Sequence, residues 1–287
     1  MTITAAMVKE LREKTGAGFM DSKKALEQCD GDMEKAMEFL RQKGIASADK
    51  KQNRIAAEGV VATYIENGVG AIVEVNCETD FVAKNEDFKS FVNGLAKHIV
   101  SVKPADIDAL NASVCAECGM KIEDAVKEKT ATIGEKISIR RFEILEGELA
   151  TYVHNCKIGV LISATAQDEV LLKDVSLHIA SSAPEFVSRK EIPQEVIDEE
   201  TRIEMGKEDL ANKPENIKAK IVEGRVNKLM SQKCLLEQPF VKNPDQTVEA
   251  LLNGKLEIKS FVRWTLGEGL EKRKDNFAEE VMSQMVK

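Results

Sequence analysis

Val60-Val61-Ala62-Thr63-Tyr64-Ile65-Glu66-Asn67-Gly68-Val69-Gly70-Ala71-Ile72-Val73-Glu74-Val75 decides the fold class. Val60, Ala62 and Tyr64 alternate with Val61, Thr63 and Ile65, the period of two that a strand imposes on its side chains. Asn67-Gly68 then supplies two residues that accept the positive φ of a tight hairpin turn before the run Ala71 to Val75. Further on the period lengthens. Phe88, Phe91, Val92, Leu95, Ala96, Ile99 and Val102 fall on one helical stripe. The unit reads strand, strand, helix.

That unit recurs. Ala62-Thr63-Tyr64-Ile65 is echoed by Ala150-Thr151-Tyr152-Val153, Gly70-Ala71-Ile72-Val73 by Gly159-Val160-Leu161-Ile162, and His98-Ile99 by His178-Ile179. From glycine to histidine the first copy takes 28 steps and the second 19, so the first carries nine extra residues, around Cys77 to Asn85. Two readings stand for that insertion. Thr79 caps the next helix while Phe81 and Val82 open its stripe, or the extra residues carry function, as insertions into one of two like units often do. His98 and His178, as repeat equivalents on helix stripes, read as packed or capping residues, whereas His154 follows a strand and reads as exposed.

Outside the repeat the pattern is helical. Residues 1–44 read as three helices, with Ala5, Val8 and Leu11 on the first and Met33, Ala36, Met37 and Leu40 on the third. Gly16 and Gly18 end the first, Gly31 the second and Gly44 the third, and Asp21 and Asp32 are placed to accept N-terminal amides. Residues 45–57 hold Lys50, Lys51 and Arg54 without aromatics, which suits a linker better than a nucleic-acid patch. In 193–233 Val196, Ile203 and Leu210 are seven apart, Pro214 interrupts, and Ile217, Ile221, Val222, Val226 and Leu229 resume. An antiparallel helical hairpin turning at Pro214 is expected, either a working arm or a solvated strut. A helix around Thr247 to Leu252 and a strand through Ile258 to Trp264 return the chain to the second half, and Phe277, Val281 and Met285 mark a terminal helix.

Composition narrows the function. The 287 residues suit two or more packed units, and 43% hydrophobic with 31% charged content suits a globular chain with long exposed helices. No apolar run approaches the roughly 18 residues a membrane helix needs, and Met1 to Leu11 lack a secretion-signal pattern, so the cytoplasm is the expected compartment. A net charge of −8 disfavours nucleic acid as the main partner. Of six cysteines only Cys115 and Cys118 stand close, without the second pair a zinc ribbon would want, and no cofactor or metal is expected. The chain has no GxxxxGK[ST] loop, HExxH or GxSxG, and three histidines leave few candidates for acid–base work. Binding is the expected activity.

Asn76-Cys77-Glu78-Thr79-Asp80-Phe81-Val82-Ala83-Lys84-Asn85 closely resembles the signature of the bacterial elongation factor Ts family. Val8-Lys9-Glu10-Leu11-Arg12, Thr15-Gly16-Ala17-Gly18, Asp21 to Leu26, Val222-Glu223-Gly224-Arg225, Gln238-Pro239-Phe240-Val241 and Gly267-Glu268-Gly269 resemble it too, in order. The resemblance implies an α+β fold with antiparallel sheets. Its parts would be a three-helix ubiquitin-associated-like module over 1–45, a linker over 46–57, and core halves over 58–146 and over 147–190 with 235–270. A coiled-coil hairpin over 191–234 and a C-terminal helical module over 271–287 would complete it. It also implies guanine-nucleotide exchange on elongation factor Tu, GDP-bound or nucleotide-free, with Thr79, Asp80, Phe81 and Val82 disturbing the partner's magnesium and phosphate site. Phe19, Met20, His154, Phe277 and Val281 match its partner-binding positions, although the family commonly has methionine at 19 and the wording differs at Asn155-Cys156-Lys157. A homodimer or a two-plus-two complex stays open, as does the alternative of a non-enzymatic adaptor or structural protein of the same fold.

Overall fold

The computed structural model describes residues 3–271 except 117 and 212, with the side chains of 45–50 outside that description. It is a mixed α+β chain in which N-terminal helices precede three small antiparallel sheets interleaved with helices. The described residues form two compact units, one from those within 1–62, 73–142 and 265–271, the other from those within 63–72 and 143–264.

In the first unit α1 (Ala5–Thr15), α2 (Phe19–Gln28) and α3 (Met33–Lys51) bury Val8, Leu11, Ala25, Leu26 and Ala36 between them. Thr4 caps α1 by accepting from the Met7 amide at 3.3 Å, and Gly16 ends it with φ +65°, where a side chain would be strained. Asp32 accepts from the Lys35 amide at 3.1 Å, as its position implied. Asp21 does not cap. It lies inside the first turn of α2, where Gly18 holds the cap position, and pairs with Lys43 at 2.8 Å. Nor does Gly44 stop the third helix, which runs on to Lys51. That glycine answers to packing, because a Cβ there would stand 2.9 Å from the Cβ of Ala131.

β1 (Glu58–Glu66), β2 (Val69–Cys77) and β3 (Ser138–Glu146) form the first sheet in that order. Its hairpin turns on Asn67 and Gly68 at φ +50° and +74°, the left-handed pair that matches the twist of the flanking strands. After β2 come α4 (Asp80–Lys84), α5 (Glu86–Val102), α6 (Ile107–Ala112) and α7 (Ile122–Ile133). Phe88, Val92, Leu95, Ala96 and Ile99 are buried along α5, whereas Phe91 is half-buried and Val102 is exposed at the last turn.

The second unit repeats the plan. β4 (Glu148–His154) and β5 (Ile158–Ala164) pair antiparallel from Glu148 opposite Ala164 to His154 opposite Ile158, α8 (Glu169–Ser182) covers them, and the strand Ile258–Thr265 joins the free side of β5. Both repeat helices end on a left-handed residue whose N–H returns to an isoleucine carbonyl: Lys103 to Ile99 and Ala183 to Ile179. Between α8 and that last strand lie α9 (Gln194–Met205), α10 (Glu215–Lys233), a two-stranded sheet of β6 (Pro239–Phe240) and β7 (Asn243–Thr247), and α11 (Val248–Leu252), capped by Thr247.

The α9–α10 pair is antiparallel, since Glu200 meets Lys233 while Glu204, further along α9, meets Arg225, earlier on α10. Its seam departs from the seven-residue reading. Ile203 is 50% exposed, and Glu204 is buried in its place. The helix ends at Met205 and Leu210 sits on a separate 3-10 turn, so the two residues do not share one helical phase.

Both repeat histidines are packed, as expected. His98 Nε2 lies 2.7 Å from Ser113 Oγ. His178 Nδ1 accepts from the Val241 amide at 3.2 Å, which leaves Nε2 to donate to Gln238 Oε1 at 2.8 Å. Burial pushes the His178 pKa below its ordinary value, against an opposing push from Gln238, and burial lowers that of His98. The folded chain therefore binds these protons less readily than the unfolded chain does. Stability is full above the ordinary histidine pKa of about 6.5 and falls as pH drops below it. Urea unfolding is expected to show a lower midpoint at pH 5.5 than at pH 7.5, with part of the difference gone in His178→Gln. An equal difference in that variant would remove His178 from this account.

Candidate partner-contact site

β2 runs buried to Cys77, whose Sγ donates to the Thr79 carbonyl at 3.2 Å and whose thiol is pushed up to about 12 by burial, with Glu135 adding to it. That cysteine is inert packing. Past it the chain emerges and folds at once into the five-residue α4. Thr79 caps α4, its Oγ1 accepting from the Val82 amide at 3.4 Å, and Asn85 closes it while capping α5 by accepting from the Asp87 and Phe88 amides at 2.8 and 3.3 Å.

The nine-residue insertion thus makes a helix of its own. Thr79 does cap, but it does not cap the helix that carries Phe88, and the second repeat has no counterpart: β5 ends at Ala164 and Asp168 already caps α8. On α4 the small Ala83 is buried and Val82 half-buried. Phe81 is 81% exposed, more than any other large apolar side chain described. Asp80 beside it is half-exposed and pairs with Lys84 at 2.6 Å. An acidic and an aromatic side chain therefore stand side by side on a short capped helix.

The helix is held from outside by two carboxylates. Glu135 Oε2 accepts from the amides of Glu78 and Thr79 at 3.1 and 2.9 Å, and its Oε1 accepts from the Thr79 hydroxyl at 2.7 Å. In return Glu78 Oε1 accepts from the Lys136 amide at 2.6 Å and from Arg54 at 3.2 Å. Sequence reasoning did not find Glu135, which lies 56 residues beyond Thr79. The signal that marks it is the Gly134 that ends α7 at φ +87° and turns the chain. Arg54, read as a linker cation, is one of the partners of Glu78.

Of the remaining candidates, Phe19 and Met20 open α2 and are 50% and 59% exposed. His154 belongs to the second unit and is exposed at the end of β4, its ring 6.3 Å from that of Tyr152 and its nitrogens in contact with Tyr152 and Asn155. Phe277 and Val281 lie outside the described residues. Cys115 and Cys118 form no disulfide and lie in a turn closed by Cys115 and Met120 and by Gly119 and Cys115, and burial raises the Cys118 thiol, with Cys115 adding to it. That shift opposes thiolate reactivity. Among the described residues no three His, Cys, Asp or Glu side chains are placed to hold a metal ion, and no helix is long and apolar enough to cross a membrane.

A short capped helix therefore presents an exposed phenylalanine next to a half-exposed carboxylate, the pair the sequence singled out. A family model described as Elongation factor TS matches residues 78–268, about two thirds of the chain, beginning at the two residues that Glu135 grips.

Proposed function

The chain belongs to the elongation factor Ts family and is a guanine-nucleotide exchange factor for elongation factor Tu in translation elongation, acting by binding and not as an enzyme; we propose that it promotes GDP release by driving the Thr79–Val82 segment against the partner's magnesium and phosphate site. The observation that carries this reading is Phe81, 81% exposed on a five-residue helix whose one buried side chain is the small Ala83. Phe81 displaces packed side chains of the partner and Asp80 disturbs the surroundings of the ion. Magnesium offsets phosphate charge, so loosening its coordination removes much of the nucleotide's hold. The energetics form a cycle: a protein that binds the empty partner better than the loaded one weakens nucleotide affinity by the same factor.

Other surfaces offset the cost of that disruption. Phe19 and Met20 on α2, His154 at the end of β4, and Phe277 and Val281 supply them. In this reading residues 1–45 form a ubiquitin-associated-like module joined by a linker over 46–57. The core halves are 58–146 and 147–190 with 235–270, α9 and α10 make a coiled-coil arm within 191–234, and 271–287 form a C-terminal helical module. The protein works in the cytoplasm, as one copy per partner or in a two-plus-two assembly that light scattering of the complex distinguishes. The direct test is release of mant-GDP from elongation factor Tu with and without this protein. Acceleration is expected, and a rate equal to the spontaneous one would end the reading.

A further inference from the structure

The geometry points to Glu135 as a positioning residue for exchange, one that holds the Thr79–Val82 segment in its working orientation without touching the partner; this rests on the reading of that segment given above. α4 has five residues, far below the roughly 12 at which a helix in isolation becomes even marginally stable, so its direction must be imposed by its surroundings. Glu135 imposes it at the start. One oxygen takes two consecutive amides, and the other fixes the Thr79 hydroxyl, which can then present a lone pair to the Val82 amide. The rotamer of the cap, and through it the first turn that carries Asp80 and Phe81, follows from one carboxylate.

That carboxylate is itself fixed. Gly134 returns its N–H to Thr130 O at 3.0 Å, and Ile137 N donates to Thr130 Oγ1 at 3.3 Å, so the turn that carries Glu135 is tied to the end of α7. Lys136 completes the clasp from the same turn, its amide on Glu78 and its ammonium 3.0 Å from the Arg54 carbonyl. A chain of fixed contacts therefore runs from α7 through Glu135 and Thr79 to the helix that displays Phe81. Charge-assisted bonds of this kind are about twice as strong as neutral ones. Without them the segment samples other orientations, and its effect is scaled by the fraction that remains competent.

The test compares Glu135→Ala with Glu135→Gln in the full chain. In Glu135→Ala the Glu78, Thr79 and Val82 amides are expected to lose protection in hydrogen exchange of the free protein. The maximal stimulated rate of mant-GDP release is expected to fall about tenfold, while the half-saturating concentration stays within about twofold because the other surfaces still dock. Glu135→Gln keeps a carbonyl for the two amides and an NH2 that donates to Thr79 Oγ1, so its release rate is expected within about threefold of the parent. If Glu135→Ala does not fold, Thr79→Val removes the hydroxyl relay with little change of shape and is expected to give the same loss of maximal rate. Intact protection at the three amides in Glu135→Ala, or equal loss in the alanine and glutamine variants, overturns the proposal. So does a raised half-saturating concentration with an unchanged maximum. Unchanged release in Asp80→Ala with Phe81→Ala overturns the reading beneath it, whereas amide protection in the free chain reports on Glu135 separately.

Discussion

Replacing Asp80 and Phe81 together with alanine is expected to slow partner-stimulated GDP release by roughly 10- to 100-fold, the range of a coupling free energy of about 1–3 kcal/mol, while the unfolding midpoint stays where it was. Folding is spared for local reasons. Phe81 is 81% exposed, so truncating it removes almost no buried area. Asp80 contributes a favourable charge in the first turn of α4 and an exposed pair with Lys84, each worth a few tenths of a kcal/mol up to about 1. The Thr79 cap and the Glu135 contacts do not involve either altered side chain. Stopped-flow mant-GDP release beside urea unfolding of the same samples gives the answer. Unaltered release with unaltered stability would mean that the exposed phenylalanine is a bystander and that the exchange activity resides elsewhere.

How much of this was legible in the sequence depended on the range of the forces involved. Local chemistry was readable: Asn67-Gly68 makes the hairpin because both residues adopt positive φ, and Asp32 caps the helix that follows it, although Asp21 does not. The repeat was readable too, from the echoed hairpins and the helices with His98 and His178, and the structure adds that both helices end on a left-handed residue, Lys103 and Ala183. Even the insertion could be located by counting, although not that it would fold as a separate five-residue helix. Long-range packing was not readable. Gly44 looks like a stop until Ala131 is placed against it, and Ile203 looks like a seam residue until the helix is seen to end two residues later. Glu135 and Glu78 are ordinary surface carboxylates in the sequence, and become a clasp only when β2 and the end of α7 meet.

Glu74 is the extreme case of a residue that sequence reasoning passes over, and Glu74→Ala is expected to lower the free energy of unfolding by roughly 3–5 kcal/mol, the cost of breaking a buried ion pair. Its side chain sits on β2 with no exposed surface. Oε1 accepts from Arg140 at 2.9 Å, Asn76 at 3.2 Å and the Gly267 amide at 2.8 Å, and Oε2 accepts from Arg141 at 2.7 Å. Burial pushes the carboxyl up, but the Gly267 amide and the two guanidinium groups outweigh it, and the pKa is held below the usual carboxylate value. One carboxylate thus ties β2 to β3 and to the segment beyond Thr265. Gly267 fits there only as glycine, since at φ +69° a Cβ would stand 2.6 Å from the Ala57 carbonyl oxygen. Removing the carboxylate takes one acceptor from two partly buried arginines and from the Gly267 amide, while Arg140 keeps the Glu268 carbonyl and Arg141 keeps the Thr265 carbonyl and the Glu268 carboxylate; loss of one partner of a buried pair costs more than the intact pair contributes. A lowered carboxylate pKa supplies stability that is present above the unfolded value and is lost as pH falls through the folded one, so the acid side of the stability profile should flatten in the variant. Urea unfolding at pH 7 and across the range below pH 5 reads both effects. A loss under about 1 kcal/mol would show that water replaces the carboxylate among these donors and that β2 is held by its apolar face alone.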